Sequence, residues 1–262
     1  MATKHFSCLC VVLFMLFSFS GSLMAESLYV VSHGSRVFSF DVYNGQLIPI
    51  DEASMAHYGW GGIDLAIDND YDILFMSSEN TDNFQILDAK ELTLIKTVTF
   101  PGTGDITGIV YDAPNSRLLG TQRNSNDLYV FSWTPATQTL TLDETIQLER
   151  IQNACDVAIN GDTLYVSEYL YSGIPQYTEV YAYDMSDDFS YIGKVNMGNT
   201  IVSIDYNATD DSLYGGAWRG HDKLIKRTFD PNTLVEDNID AYITGIATNS
   251  SVAGQVFITS YA

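Results

Sequence analysis

Three sets of residues in this chain have types and spacings that could do chemistry. The first is a pair of acids in matching frames, Asp64 in Gly-Ile-Asp-Leu-Ala-Ile and Asp156 in Ala-Cys-Asp-Val-Ala-Ile. Two such carboxylates near one another could help hold Ca²⁺ or another hard cation, which takes six or more oxygen ligands. They could equally accept hydrogen bonds from the amides of neighbouring strands. The second set is aromatic and basic: His57, Tyr58 and Trp60 in one polar stretch, Trp218, Arg219 and His221 in another. Exposed Trp and Tyr beside acids and amides make a platform for a carbohydrate or a peptide, whereas the same rings buried would only fill space. The third is the stretch from Glu168 to Glu179, which carries Tyr169 and Tyr171 ahead of a Gly173-Ile174-Pro175 turn. No nucleophile elbow, Cys-His pair or phosphate-cradling glycine loop accompanies them. The motifs fix no reaction.

The elements that would position these residues recur. Leu28-Tyr29-Val30, Leu74-Phe75-Met76, Leu118-Leu119-Gly120, Leu164-Tyr165-Val166, Leu213-Tyr214-Gly215 and Val256-Phe257-Ile258 follow one another at intervals of 46, 44, 46, 49 and 43 residues. Each opens a unit in which an alternating strand comes next, such as Val37 to Asp41 or Val180 to Asp184. A more polar strand follows, and then a strand of small and apolar residues ending in Asp or Asn, such as Gly62 to Asp68 or Cys155 to Asn160. Period-two alternation and β-branched and aromatic residues mark all of them as strands, and no segment keeps a helical period. A repeat in the forties with four strands per unit predicts an all-β fold, a β-propeller of four-stranded blades. The polar third strand suits an outer edge in water, and the small-residue fourth strand suits the crowded axis.

Five units are complete, and Gln255 to Ala262 reads as the first strand of a sixth. A six- or seven-bladed propeller cut short is favoured over a closed five-bladed ring with eight surplus residues. In this arrangement the ligand face carries the Ala53–Gly62, Glu168–Glu179 and Trp218–Asp222 loops. The turn Asp68-Asn69-Asp70-Tyr71-Asp72 lacks the Gly and the distant Glu of a calcium loop and reads as a plain turn. Gly102-Thr103-Gly104 is likewise a lone turn.

An inner strand ending in Asp or Asn, a turn, Leu-Tyr-Val and then a strand ending Val-x-x-x-Asp resembles the YVTN/NHL-type propellers of the quinoprotein-dehydrogenase-like group. The resemblance covers residues 28–262 and implies the fold. It implies little about activity, since that group includes surface-layer repeats, lactonase-like enzymes and cofactor-containing dehydrogenases, and none of their catalytic motifs is evident here.

Residues 1–25 read as a secretory signal peptide. Lys4 and His5 precede an apolar run from Leu9 to Phe19, too short to span a bilayer, and Gly21, Ser22 and Ala25 suit a cut before Glu26. The mature domain is then 26–262, secreted, periplasmic or at the cell surface, with no membrane insertion. Cys8 and Cys10 leave with the signal, so Cys155 has no disulfide partner and suits a small buried position. The formal charge of −21 repels nucleic acid and anionic membranes. With 46% hydrophobic residues the chain is no disordered acidic tail. Asn207-Ala208-Thr209 and Asn249-Ser250-Ser251 would be glycan acceptors only in a eukaryotic host.

These readings together favour a secreted, non-catalytic propeller that binds an extracellular glycan or protein and needs no cofactor. One rival is a lactonase-like hydrolase or lyase using the axial acids, a divalent cation and His57 or His221 as acid/base. The other is a surface-layer or adhesion repeat.

Overall fold

The computed structural model describes residues 26–32, 36–43, 46–54, 62–78, 81–168, 179–198, 201–217, 223–229, 232–239, 242–249 and 252–261. Residues 1–25, read as an export signal, lie outside them. Twenty-one strands and two single-turn 3-10 helices, Ala113–Asn115 and Pro135–Thr137, are found among the described residues. No helix among them is long and apolar enough to cross a membrane.

The chain is an all-β propeller built from five four-strand repeats. The first sheet holds β1 (Glu26–Ser32), β2 (Arg36–Tyr43) and β3 (Gln46–Ser54). Four four-stranded antiparallel sheets follow. They are β4 (Gly62–Asp68), β5 (Ile73–Ser78), β6 (Asn83–Asp88) and β7 (Leu94–Thr99), then β8 (Ile106–Asp112), β9 (Arg117–Gln122), β10 (Asp127–Thr134) and β11 (Thr139–Gln147). Next come β12 (Ala154–Asn160), β13 (Thr163–Glu168), β14 (Val180–Asp184) and β15 (Ser190–Val195), then β16 (Ile201–Asn207), β17 (Ser212–Ala217), β18 (Lys223–Thr228) and β19 (Thr233–Asn238). The last pair is β20 (Tyr242–Thr248) with β21 (Val256–Tyr261).

One expectation is corrected here. The small-residue strand that closes each sequence repeat pairs with the strand after it and lies at the edge of that strand's sheet, so it opens a sheet instead of ending one. Its Asp or Asn turn is too short to do anything but fold straight into the next strand. Thr244 to Asn249 does not pair with the first strands. That segment pairs instead with β21, from Tyr242 opposite Tyr261 to Thr248 opposite Val256, so Val256 to Tyr261 is not surplus.

Burial follows chemistry along each blade. Every residue of β5 (Ile-Leu-Phe-Met-Ser-Ser) is buried, and every residue of β19 (Thr-Leu-Val-Glu-Asp-Asn) is exposed. The first lies between neighbouring sheets, while the acids of the second keep an edge strand soluble. The cores form between blades. Val37 meets Leu74 and Leu87, Leu119 and Leu128 meet Val166 and Tyr183, and Ala182 meets Ile204 and Ile225. Phe257 of the last sheet packs on Leu28, Val30 and Val42 of the first.

Between the second and third sheets the packing is aromatic. The Trp133 ring stands edge-on to Phe75 at 5.0 Å, and its indole N–H donates to Asp68 Oδ2 at 3.1 Å. Trp133 therefore wedges between blades, a role its sequence context does not single out. Trp133→Phe keeps the ring but removes the donor to a buried carboxylate, and is expected to lower stability by about 1–3 kcal/mol. A urea titration with an unshifted midpoint would contradict that. The turn after β4 is plain, with Asp68 Oδ1 accepting from the Asp70 amide.

Both sequons are closed to modification in the folded chain. Asn207 is fully buried and its Nδ2 donates to the carbonyls of Asn249 and Val252. Asn249 is buried too, with Nδ2 donating to Gln255 Oε1.

Candidate functional site

The innermost strands β4, β8, β12, β16 and β20 stand side by side in sequence order about the axis. Each carries a register irregularity near its start: between Gly62 and Leu65, Ile106 and Gly108, Ala154 and Val157, Ile201 and Ser203, and Ile243 and Gly245. A bulge bends a strand and re-aims the side chain beside it. Here the re-aimed positions are Asp64, Gly108, Asp156, Ser203 and Gly245, the same slot of every repeat.

Asp64 and Asp156 use that aim in the same way. Asp64 Oδ1 accepts from its neighbour Leu65 N at 2.8 Å, and Oδ2 reaches the next blade to accept from Ile109 N at 2.7 Å. Asp156 Oδ1 accepts from Val157 N at 2.8 Å, and Oδ2 accepts from Ile204 N at 2.8 Å and Ser203 Oγ at 2.9 Å. Ser203 continues the series, its Oγ accepting from Ile246 N at 3.0 Å. The bulged amides are also covered, Asp64 N by Ser77 Oγ at 3.2 Å and Asp156 N by Ser167 Oγ at 3.0 Å. Asp205, which sequence reasoning missed, adds a second link: Oδ2 accepts from Thr248 N at 2.6 Å and Oδ1 from Tyr206 N at 2.8 Å.

Gly108 breaks the acid pattern for a steric reason. A Cβ there would lie 2.5 Å from Asp156 Cα and 2.6 Å from the Cys155 carbonyl oxygen. The fastening to β12 is made here by hydroxyls, Thr107 Oγ1 of β8 and Thr121 Oγ1 of β9 donating to the Cys155 carbonyl at 2.8 and 3.1 Å. The Cys155 thiol itself donates to the Val202 carbonyl. Burial, followed by the Asp156 charge, pushes its pKa up to about 12, so it is an inert thiol at neutral pH.

The electrostatics of the axis are unusual. Burial raises Asp156 to about 7 and Asp205 to about 6. Asp64 lies well above the usual carboxylate value, through burial first and then the Asp156 charge. The groups hydrogen-bonded to Asp64 and Asp156 are N–H and O–H donors, a set that suits a carboxylate acceptor. No group of three or more His, Cys, Asp or Glu side chains among the described residues is arranged to hold a metal ion.

The aromatic and basic candidates His57, Tyr58, Trp60, Tyr169, Tyr171, Trp218, Arg219 and His221 lie outside the described residues. Among the described residues there is a recess of about 480 Å³. Thr81 and Asp82 come from the β5–β6 connection, Gly104 and Asp105 from β7–β8, and Gln122, Arg123 and Asn124 from the end of β9 and the turn after it. These are strand 1–2 and strand 3–4 loops, the face on which ligands were expected. Asp82 braces it, Oδ1 accepting from Gly104 N at 2.7 Å and Oδ2 from Gly102 N at 3.1 Å. Gln122 Oε1 accepts from the Tyr129 hydroxyl at 2.6 Å. Sequence reasoning passed over these residues because Asp, Asn and Gly in short connections read only as turn formers.

The sequence matches no protein-family model and no curated protein. Solved structures do match, 1375 chains of them, a breadth that marks a widely used scaffold. One belongs to a structure titled "Crystal Structure of Mitotic Checkpoint Complex". It is 13% identical, with a TM-score of 0.57 over 90% of this chain and 72% of that one. Likeness at this identity establishes the fold, a β-propeller, and nothing about activity.

Proposed function

We propose that this protein is a secreted, non-catalytic β-propeller that presents the loops of one face to an extracellular ligand, a glycan or a protein. The observation that carries this reading is the engagement of the axial acids. The oxygens of Asp64 and Asp156 accept from backbone amides that fasten each blade to the next, so these side chains serve the scaffold. Variation among the repeats then falls in the loops, where binding function is added to a rigid frame. Export rests on residues 1–25, and the resemblance to the YVTN/NHL-type propellers rests on the Leu-Tyr-Val repeat. The similar chain sits in a protein complex, a use of the fold that the protein-ligand form of this reading shares.

One observation favours the hydrolase rival. A carboxyl group titrating at about 7, as Asp156 does, is suited to general acid/base work. The two readings separate by metal content and turnover. The purified mature chain is expected to contain no stoichiometric Ca²⁺ and to show no lactone or ester hydrolysis. Stoichiometric Ca²⁺ whose removal by EDTA abolished such an activity would replace the binding reading with the enzymatic one.

A further inference from the structure

We infer that the outer edge of β21, with the walls of the cleft in which it lies, is a docking site for a β-hairpin of another polypeptide, one whose leading strand alternates apolar side chains. This surface is distinct from the loop-bearing face and goes beyond the binding reading above. The last sheet, β20 and β21, is held between two wider neighbours. Ile243 and Ile258 pack it on Leu224 of the fifth sheet, and Phe257 packs it on Leu28, Val30 and Val42 of the first. Both neighbours reach further out, through β18 and β19 on one side and β2 and β3 on the other. Among the described residues no strand pairs with the outer edge of β21. Such an edge presents a row of N–H and C=O groups, here directed into the cleft between those strands.

The walls are open where equivalent positions elsewhere are closed. On the side facing the next sheet, β6 buries Phe84 and Ile86, β10 buries Leu128 and Val130, and β14 buries Val180 and Ala182. The corresponding Leu224 and Lys226 of β18 are only half-buried, and Val235, beside Lys226 in the register, is 48% exposed. Across the cleft, Phe38 and Phe40 of β2 are half-buried. Their counterparts Tyr129 and Phe131 of β10, and Tyr181 and Tyr183 of β14, are buried.

The complete blades show what fits such a cleft. In the second sheet the place beside β5 is taken by antiparallel β6, which turns Phe84 and Ile86 to one neighbouring sheet and Leu87 to the other. The more polar β7 follows at the rim. A hairpin of that kind would pair with the β21 edge through its main chain and fill both walls with alternate side chains. Charge narrows the partner further. The cations on these walls are already paired, Lys226 with Asp210 and Arg36 with Glu52, and the formal charge of −21 repels an acidic hairpin.

A synthetic, fluorescently labelled peptide of residues 83–99, the β6–β7 hairpin of this chain, serves as the test ligand. Its control carries Phe84→Ser and Ile86→Ser. The mature chain is expected to bind the first peptide and not the second, and amide hydrogen exchange in β21 should slow on binding. Val235→Glu sets a carboxylate on the cleft wall at an exposed position, so the fold is kept while affinity falls by about tenfold. Ile192→Glu, on the outer strand of the fourth sheet and 56% exposed, is the matched change away from the cleft and should leave affinity unaltered. No binding of the 83–99 peptide, equal binding of its control, unchanged exchange in β21, or equal affinity in Val235→Glu and Ile192→Glu overturns the assignment. None of these outcomes bears on the loop face, so the binding reading above stands or falls separately.

Discussion

Gly108→Ala is expected to lower the stability of the propeller by about 3 kcal/mol, near the upper end for overpacking by a single methyl. The added Cβ would stand 2.5 Å from Asp156 Cα and 2.6 Å from the Cys155 carbonyl oxygen. Both obstacles are backbone atoms, so no side chain can turn away to make room. Relief requires β8 and β12 to separate. Separation stretches the bonds that Thr107 and Thr121 donate to the Cys155 carbonyl, and carries Asp156 away from its own contacts on β16. Gly193→Ala is the control. It lies in a polar outer strand with nothing within 4 Å of the added methyl, and little change is expected there. Urea midpoints of the two variants against the parent decide the matter. Equal midpoints would mean the close approach of β8 and β12 does not exist in solution.

That approach shows where the sequence is legible and where it stops being so. The strands could be read because their pattern is local: alternation over five or six residues, then an Asp or Asn turn, repeated. The shared slot of Asp64, Gly108, Asp156, Ser203 and Gly245 could be read too, by superposing the repeats. Its purpose could not, since the partner of each slot residue lies a whole repeat away. Asp64 meets an amide 45 residues on, Asp156 one 48 on, and Ser203 one 43 on. Nothing in the residues around Asp64 distinguishes a metal ligand from an acceptor for the next blade. The bulges that aim these side chains are equally silent, because they arise from the register against the following strand. Asp205 was missed because it falls two residues beyond the slot, where an acid looks like a solvated strand residue. The recess beside Asn124 escaped for a related reason: its residues belong to three separate connections, each ordinary alone.

The stability of the protein is expected to fall as pH rises from about 5 to about 8, with the axial acids as the cause. An ordinary Asp in the unfolded chain loses its proton near 3.9. In the folded protein Asp205 holds its proton to about 6 and Asp156 to about 7, while Asp64 is raised in the same direction by burial and by its neighbour. Between these limits the folded state binds more protons than the unfolded one, so stability decreases with rising pH. It is greatest at the acid end of the window and lowest once Asp156 has ionised. Each unit of displacement is worth about 1.4 kcal/mol, so even a fraction of the combined shifts exceeds the effect of most surface substitutions. The amides of Leu65, Ile109, Val157, Ile204, Tyr206 and Thr248 oppose the shift by favouring the charged forms, and burial outweighs them. Asp156→Asn removes the charge and keeps one of the two acceptors. Its amide oxygen can still accept from Ile204 N while Val157 N loses its partner, so the variant starts lower at pH 5, but with the charge gone the slope between pH 5 and 8 should flatten. The gap between variant and parent should therefore narrow towards pH 8. Asp156→Ala, by contrast, leaves the Val157 and Ile204 amides without their acceptor and should be less stable at every pH. Denaturant midpoints of the three proteins at pH 5, 6.5 and 8 give the comparison. A slope as steep in Asp156→Asn as in the parent would remove Asp156 as the source and leave Asp205 and Asp64 to account for it.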